Sequence, residues 1–397
     1  MSDLVTLGPG LPSLPIDLMV ARDLGRVLFV VGAGASYPPP SKLPGFQGLV
    51  QDIFGILDPT MAQPMKEVSS PERKHWKEVD APLNDFQRTE LKFFAEGEYD
   101  VALGMLERRI DTDLTKRSSM RKAAAEVLGR TKLHNRLHGA LVELGQRYGQ
   151  TLLVTTNFDR LLSTAAKASK LSDKAFALGQ IPNPSVSAEF AGILHIHGIL
   201  DEGLEPNSQL ILTDQDFGDA YLRRHTTTAF LYDAARIFNI VLVGYSANDS
   251  PVRYLLNAIA ADERHHVDLK PRYAFVGAEQ GDTRIAAEWE ARGIRPIVYD
   301  KADQHKALGD LLVRWTEMLP GPKNAENLAA RIAEIAAAEP GSEVGKTQKS
   351  VLHYLFARSN QTERVELAKT LSAAGAGPSW LAVLNEMARK PRSEGGE

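Results

Sequence analysis

Four apolar segments of the sequence are each followed by glycines or polar residues that could bind and activate a ligand. These residues are Gly32, Gly34 and Ser36, then Thr156, Asn157 and Asp159, then His197, and finally Gly244, Ser246 and Asp249. A glycine turn brings backbone amides close to a phosphate. An imidazole, with an ordinary pKa of about 6.5, suits general-base work at neutral pH, and an amide side chain can orient a water or a hydroxyl. The residue types predict a site that holds a phosphate compound and activates a nucleophile.

Each of these features also has a structural explanation. The Gly32-x-Gly34 pattern is typical of any tight turn, Asn157 could cap a helix that starts near Asp159, and His197 could be a satisfied core histidine. Ser246, Asn248 and Asp249 could cap a helix that starts at 250. His195 points to the opposite face of its strand from His197 and is predicted to be structural. Independent accidents rarely place such residues after four apolar segments, so together they favour a ligand site.

The apolar segments read as strands that are buried on both faces, as in a parallel sheet. They cover residues 26–32, 151–156, 192–198, 239–245 and 272–277, with a shorter one at 295–300. Helical patterns at 134–148, 226–238 and 250–263 lie between them. Strands that alternate with helices predict an α/β fold with a doubly wound, mainly parallel sheet of the Rossmann-like type. In such a sheet the ligand lies beyond the carboxyl ends of the strands, where the polar residues stand.

Two further regions extend this sheet. More than 100 residues separate the first two strands, and helical segments at 84–110 and 121–130 predict a helical insertion over roughly 60–130. Residues 201–225 show no clear regular element and could form a loop over the site. Helical patterns at 324–339, 350–359 and 378–390, with linkers between them, predict a small helical C-terminal module over 321–397, after a catalytic domain over 1–320.

The composition narrows the class of protein. The chain has 397 residues, of which 43% are hydrophobic and 24% charged, and a formal net charge of −4. This is ordinary globular composition without the basic field of a nucleic-acid-binding protein, so direct nucleic-acid binding is not expected. There is no cysteine, which excludes disulfides, thiolate metal sites and a cysteine nucleophile. No segment resembles a signal peptide or a membrane span, so a cytoplasmic protein without membrane contact is expected.

The ordered motifs of the chain resemble those of the sirtuin-like superfamily. The family carries a GAG-x-S loop, then P-D-F-R-G, T-Q-N-x-D, H-G and G-x-S. This chain reads GAGAS (32–36), PGFQG (44–48), TTNFD (155–159), HG (197–198) and GYS (244–246) in the same order, within roughly residues 20–300. The form of the last motif, with Asp249 after it, resembles the bacterial defence-associated branch of the family more than the deacylases.

The resemblance implies a sirtuin-type fold that binds NAD. Carried over by position, Gly32, Ala33, Gly34 and Ser36 would surround the diphosphate of NAD. Phe46 and Thr156 would also line the cofactor site, with Asn157 and Asp159 beside the nicotinamide and its ribose. His197 would be the catalytic base, and Gly244, Ser246 and Asp249 would lie on the adenosine side.

The chain departs from the family pattern in two ways. Gly45 and Gln47 replace the Asp and Arg of P-D-F-R-G, so part of the usual bonding around nicotinamide is missing or supplied elsewhere. The zinc ribbon that deacylases carry between H-G and G-x-S is not expected, because the chain has no cysteine and only about 40 residues lie between His197 and Ile240. That lobe forms one wall of the acyl-peptide channel in deacylases. We therefore expect no zinc, no other metal, and water as the nucleophile.

The resemblance and these departures together imply an NAD glycohydrolase, and the resemblance implies that it acts as the effector of an antiphage defence system. Asn157 and His197 would be its catalytic residues. Three alternatives remain open: a zinc-less protein deacylase, an ADP-ribosyltransferase, and a non-catalytic module that senses NAD or ADP-ribose. The family gates such activity through assembly, so the resemblance implies a homo-oligomer with a partner. The chain length favours a HerA-type ATPase or translocase as that partner over a short Argonaute.

Overall fold

The structure, a computed structural model, describes residues 3–70, 72, 74–112, 118–177, 181–184, 190–200, 210–246, 269–279 and 281–389. The chain divides into two compact units. One unit is Leu28–Val298, and the other is Met1–Val27 together with Tyr299–Glu397. The domain boundary at 320/321 stays a prediction.

Ten strands lie in the described residues. They are β1 (Leu4–Val5), β2 (Leu14–Pro15), β3 (Val27–Val31), β4 (Gln146–Arg147), β5 (Gln150–Thr155), β6 (Ala175–Phe176), β7 (Gly192–His195), β8 (Asn239–Val243), β9 (Arg272–Ala278) and β10 (Arg295–Asp300). Each of the six predicted strands is present, and their ends differ from the predicted ones by no more than a few residues.

The α-helices of the described residues begin and end as follows. They are α1 (Ile16–Asp23), α2 (Phe46–Leu57), α3 (Ala62–Ser69), α4 (Asp85–Ala95), α5 (Tyr99–Ile110), α6 (Ser119–Leu128), α7 (Arg136–Leu144), α8 (Leu161–Ala168), α9 (Asp214–Phe217), α10 (Thr226–Ile237), α11 (Arg284–Glu290), α12 (Ala302–Glu317), α13 (Ala325–Ala337), α14 (Glu343–Arg358), α15 (Gln361–Ala373) and α16 (Pro378–Arg389). A π-helix, Gly218–Arg223, follows α9 directly.

The central sheet has the strand order β10-β9-β8-β3-β5-β7-β6, with β4 paired to β5. The pairs β3/β5, β5/β7, β7/β6 and β8/β9 are parallel, which confirms the predicted mainly parallel α/β fold. All five residues of β3 are buried, because side chains on both of its faces pack under helices. The register places Val31 opposite Thr155 and Thr155 opposite His195, so β3, β5 and β7 end side by side.

The strand order creates a crevice at β3. The chain passes from β3 to β5 on one side of it and later returns to β8 on the other side. Ligands of doubly wound sheets bind at such a switch point, outside the carboxyl ends of the strands. The segments that follow β3, β5, β7 and β8 are the ones that hold the predicted site residues.

The helical insertion packs around an apolar core that Phe158 and Leu210, from the segments after β5 and β7, also join. Helices α3 to α6 lie in the predicted range of roughly 60–130, and α2 precedes them. The predicted helical segment 84–110 consists of two helices, which separate at Gly97, where φ is +82°. Side chains such as Phe54, Phe94 and Leu103 are buried in this core. These side chains lie on the apolar faces of amphipathic helices. Their packing positions α2, whose first residue, Phe46, lines the pocket described below.

Two expectations about irregular segments are wrong. Residues 214–223, expected to lack regular structure, form α9 and the π-helix, while 201–209 lie outside the described residues. Residues 361–373, expected to be a linker, form α15. A capping box between Asn360 and Glu363 stabilises the start of this helix. The helix expected at 250–263 lies outside the described residues.

The unit that contains both chain ends is mainly helical, as predicted for its C-terminal part. It has the small antiparallel pair β1/β2, helix α1 and helices α12 to α16. Buried Tyr354 donates a hydrogen bond to Asp23 at 2.6 Å, and the indole of Trp380 donates to the carbonyl of Ala338 at 2.6 Å. No helix among the described residues of the whole chain is long and apolar enough to cross a membrane.

Candidate functional site

The glycine turn after β3 packs directly against the end of β8. Gly34 N–H donates to the carbonyl of Gly244 at 2.8 Å, and Gly32 N–H donates to the carbonyl of Val243 at 2.8 Å. A Cβ atom on Gly32 would lie 2.6 Å from the ring of Tyr245, and one on Gly34 would lie 2.8 Å from the Gly244 carbonyl oxygen. A side chain at Gly32 or Gly34 would therefore push the ends of β3 and β8 apart. The turn continues as a short 3-10 helix over Ala33–Ser36, and α2 begins at Phe46.

Gly244 is the glycine of this contact that tolerates a side chain least. Its φ is +76°, and a Cβ atom would lie 2.5 Å from the backbone nitrogen of Ala35. We expect Gly244→Ala to lower the free energy of unfolding by roughly 2–4 kcal/mol, through overpacking and left-handed strain. Gly281 is the matched control, because its φ is +88° but nothing lies within 4 Å of an added Cβ. Denaturant unfolding that shows equal losses for Gly244→Ala and Gly281→Ala would contradict the close approach.

A buried hydrogen-bond network surrounds the hydroxyl of Ser36. Ser36 Oγ donates to Asp159 Oδ2 at 3.0 Å and accepts from Asn157 Nδ2 at 3.3 Å. It also lies 3.1 Å from Nε2 of His138, which comes from α7. The network joins residues that are 121, 123 and 102 positions from Ser36 along the chain. The glycine turn thus holds the segment after β5 through a single hydroxyl.

The tautomer of His138 follows from its second contact. The backbone N–H of Asn135 donates to Nδ1 of His138 at 3.2 Å, so Nδ1 carries the lone pair. Burial lowers the pKa of His138 to about 3, which keeps the ring neutral and places its proton on Nε2. Nε2–H therefore donates to Ser36 Oγ. This leaves the Ser36 hydroxyl proton for Asp159 and fixes the direction of each bond.

Asn157 is oriented by its backbone and its side chain. Its N–H donates to Thr155 Oγ1 at 3.0 Å, and its carbonyl accepts from Nδ1 of His195 at 2.8 Å. Because the amide NH₂ group faces Ser36, the carbonyl oxygen Oδ1 is buried without a hydrogen-bond partner in the described structure. A buried acceptor without a partner is costly unless a ligand or a water supplies the donor. Asn157 therefore presents a hydrogen-bond acceptor.

Asp159 and not Asn157 bonds to the start of α8. Asp159 Oδ1 accepts from the backbone N–H of Leu161 at 3.0 Å, while Oδ2 accepts from Ser36. Burial raises the pKa of Asp159, and the hydrogen bonds to the carboxylate oppose that rise. Both carboxylate oxygens thus hold protein groups in this arrangement, and the residue ties the helix to the glycine turn.

His197 lies after β7 and is fully buried. Its Nε2 is 2.7 Å from the hydroxyl of Tyr221, and its ring meets that of Phe217 edge to face at 5.2 Å between centroids. Burial lowers the pKa of His197 to about 3, so the ring is neutral at pH 7. Its Nδ1 is buried without a hydrogen-bond partner among the described residues.

One pocket brings these side chains together. The empty space between its walls is about 540 Å³, open solvent included. Its polar wall has Ser36, Thr156, Asn157, Asp159 and His197. Its apolar wall comes from the segment before and within α2, from α6 and from the segment after β5, namely Leu43, Pro44, Phe46, Leu49, Leu128 and Phe158. An aromatic or heterocyclic group on one side and a polar group on the other would fit these walls.

The structure places the predicted site residues in three groups. Those that line the pocket are Ala33, Ser36, Phe46, Thr156, Asn157, Asp159 and His197. Gly32, Gly34 and Gly244 form the close contact between strand ends, and Ser246 lies just beyond it with an exposed side chain. Asp249 and Asn248 lie outside the described residues. The functional roles of these residues stay predictions.

Sequence reasoning missed His138, Tyr221 and Tyr245 as parts of the site. Tyr245 lines the pocket and its hydroxyl lies 3.1 Å from Thr156 Oγ1. For His138 a local signal existed, because Asn135 and His138 form a capping box at the start of α7. The Asn135 side chain also donates to the carbonyl of Ala35 at 2.9 Å, so this cap reaches the glycine turn. Nothing in the local sequence indicated that contact.

The described residues contain no group of three or more His, Cys, Asp and Glu side chains that could hold a metal ion. The expectation that the protein works without zinc stays a prediction, since the described residues leave out 247–268 and several shorter segments.

With the crevice, the glycine turn and the Asn157–His197 pocket defined, comparison with known proteins identifies the region. Residues 151–297 match the SIR2-like domain family. The matched range contains Asn157, Asp159, His197 and Gly244 and supports a sirtuin-like family for that region of the chain. The SIR2-like match begins at β5, so the glycine turn and the helical insertion lie outside it.

One curated relative extends the similarity over most of the chain. The uncharacterized protein y4cA of Sinorhizobium fredii (strain NBRC 101917 / NGR234) is 31% identical over 348 residues. The alignment covers 86% of this chain but 26% of that protein, so the chain spans about a quarter of the length of its relative.

Proposed function

We propose that this protein is an NAD hydrolase that cleaves the nicotinamide–ribose bond of NAD to nicotinamide and ADP-ribose. The observation that carries the proposal is a pocket lined by Asn157 and His197, whose Oδ1 and Nδ1 atoms are buried without partners among the described residues, next to strands in the range that matches a SIR2-like domain. Two such atoms on side chains that line one pocket favour a polar ligand that supplies their partners.

The chemistry assigns a task to each residue. Cleavage leaves the C–N bond electrons on nicotinamide and creates an oxocarbenium-like centre at the anomeric carbon of the ribose. Asn157 Oδ1 accepts a hydrogen bond from a ribose hydroxyl or from the attacking water. His197 takes the proton that the water loses when its oxygen bonds to the anomeric carbon, and passes that proton to solvent. The apolar wall around Phe46 and Leu128 holds the nicotinamide ring.

Water is the preferred acceptor because the chain offers no means to build the acyl-peptide channel of a deacylase. The residues that line the pocket include no cysteine, and the whole sequence has none for the zinc lobe that walls the acyl-peptide channel of deacylases. A water needs less space at the anomeric carbon than an acylated lysine does.

The biological setting is part of the same proposal. NAD depletion by this chain would serve as the effector step of an antiphage defence system, in the cytoplasm. A homo-oligomer and a partner protein would gate the activity. A HerA-type translocase is the preferred partner and a short Argonaute the alternative. Size-exclusion chromatography with light scattering, on the chain alone and after co-purification with each partner, tests the assembly.

The direct test is to incubate the purified protein with NAD and follow products by chromatography. We expect equal amounts of nicotinamide and ADP-ribose, with no dependence on an acyl peptide and no label on macromolecules from ³²P-NAD. Deacetylation of an acetyl-lysine peptide would instead support a deacylase, and labelled protein or nucleotide would support an ADP-ribosyltransferase. Binding of NAD without turnover, alone and in the assembled complex, would support the sensing module and overturn the hydrolase.

A further inference from the structure

Tyr221 makes the one described side-chain hydrogen bond to His197. The phenol oxygen lies 2.7 Å from His197 Nε2, and both residues are almost fully buried. The two rings meet edge to face with centroids 5.8 Å apart, and Phe217 closes the group at 5.2 Å from His197 and 6.2 Å from Tyr221. The two aromatic rings and the Tyr221 hydroxyl therefore fix the orientation of the imidazole.

The backbone that carries Tyr221 is unusual. Residues 218–223 form a π-helix, a rare element that is frequent at functional sites. It follows α9, and a capping box between Thr213 and Asp216 stabilises the start of α9. Asp216 is also bonded to Arg121 of α6 at 2.6 Å, so the segment is tied to the helical insertion. The wider π turn, and not a continued α-helix, sets the side of the segment on which Tyr221 lies.

Tyr221 approaches His197 from outside the pocket. His197 is among the residues that line the pocket, whereas Tyr221 and Phe217 are not. The nitrogen that Tyr221 contacts is Nε2, and the nitrogen without a partner is Nδ1. The arrangement leaves Nδ1 for a ligand and reserves Nε2 for the protein.

We propose that Tyr221 is a positioning residue that holds the Nε2–H tautomer of His197 and so presents the Nδ1 lone pair as the base for NAD cleavage. This inference rests on the proposed function. When the attacking water gives up its proton, the O–H bond breaks and an Nδ1–H bond forms. The imidazolium that results keeps its Nε2–H bond to the Tyr221 oxygen, which accepts it. The phenol stays protonated throughout, because burial raises the pKa of Tyr221 well above its ordinary value.

The test removes one hydroxyl. We expect Tyr221→Phe to keep its fold and to lower kcat for NAD cleavage by about 10- to 100-fold, with KM changed less than threefold. The matched control is Tyr299→Phe. Tyr299 is a buried tyrosine whose hydroxyl bonds to His305 Nδ1 at 2.9 Å, and it does not line the pocket. Unchanged or increased kcat in Tyr221→Phe, or an equal loss in Tyr299→Phe, would overturn the proposal.

A second measurement separates this proposal from the hydrolase itself. In protein labelled with ¹⁵N-histidine, the ¹⁵N shifts of His197 report which ring nitrogen carries the proton. The signals are assigned by their loss in His197→Gln. We expect the Nε2–H tautomer in the wild type and a mixture of tautomers in Tyr221→Phe. A wild type in the Nδ1–H tautomer, or no change in the variant, contradicts the role of Tyr221 even where NAD is cleaved. If NAD is not cleaved, the proposed function fails while these shifts still decide the tautomer.

Discussion

Asn157→Ala and His197→Ala are expected to lower kcat/KM for NAD cleavage by at least about 100-fold each, within the usual range for the loss of a catalytic polar group. The two side chains leave their partnerless atoms, Oδ1 and Nδ1, buried at the pocket. In the proposed reaction, a bound ribose hydroxyl or water would satisfy these atoms. No other described pair in the pocket combines an acceptor and a neutral imidazole.

The two variants should lose activity for different reasons. Asn157→Ala removes the Oδ1 acceptor and also the Nδ2 donor to Ser36, so the affinity for NAD should fall together with kcat. His197→Ala removes the base, so kcat should fall more than the affinity. Because His197 is neutral at every pH well above about 3, the wild-type rate should show no acid limb near pH 6.5 from this residue.

A control with an asparagine of known structural role makes the test specific. Asn84 caps α4 through a capping box and does not line the pocket, so Asn84→Ala should cost about 1 kcal/mol of stability and leave kcat/KM unchanged. NAD turnover is compared in the folded fraction of each variant. Wild-type turnover in His197→Ala would remove the base from the mechanism, and a loss shared by Asn84→Ala would attribute the effect to stability.

The main features of the sheet were predictable because strands that are buried on both faces appear in the sequence as continuous apolar segments. Continuous apolar segments such as VLFVV are typical of strands buried on both faces of a parallel sheet, and the order of the sheet then brings the residues that follow them to one crevice. The prediction therefore placed Ser36, Asn157 and His197 together before any contact was known. It depended on topology and not on side-chain geometry.

The features that the sequence did not predict depend on long-range contacts, or lie in helices that lack the apolar pattern of an ordinary α-helix. Tyr221 lies in a π-helix, whose wider turn does not produce the 3.6-residue pattern that indicates an α-helix. Helix α15 buries only Leu367 and Leu371, so its sequence looks like a polar linker. The bond between Ser36 and His138 joins residues 102 positions apart, and only packing decides it.

Acid should destabilise this protein strongly through its buried histidines. Burial lowers the pKa of His195 to about 4 and those of His138 and His197 to about 3. Between pH 6.5 and these values the unfolded chain binds a proton at each histidine and the folded chain does not. The free energy of unfolding therefore falls as pH drops through this window, by about 1.4 kcal/mol per pH unit for each residue.

Buried carboxyl groups act in the opposite direction. Burial raises the pKa of Asp159, and those of Asp23 and Glu90, so the cost of keeping them ionised is relieved as pH falls through their folded values. The total pH dependence mixes both kinds of group. A single histidine must therefore be isolated by comparing the wild type with a variant that lacks it.

His195→Asn isolates one histidine with little other change. The amide NH₂ of asparagine takes the place of the Nδ1 donor to the Asn157 carbonyl, and His195 does not line the pocket. Between pH 7.5 and 5.0 we expect the wild type to lose about 2 kcal/mol more stability than this variant, from 1.5 pH units below 6.5. Amide hydrogen exchange of residues 192–198, corrected for intrinsic rates, measures the free energy of opening at each pH. His75→Asn, at an exposed histidine, is the control for the substitution itself. If His195→Asn loses as much stability as the wild type over this range, His195 is charged in the folded protein, and its bond to the Asn157 carbonyl then involves an imidazolium.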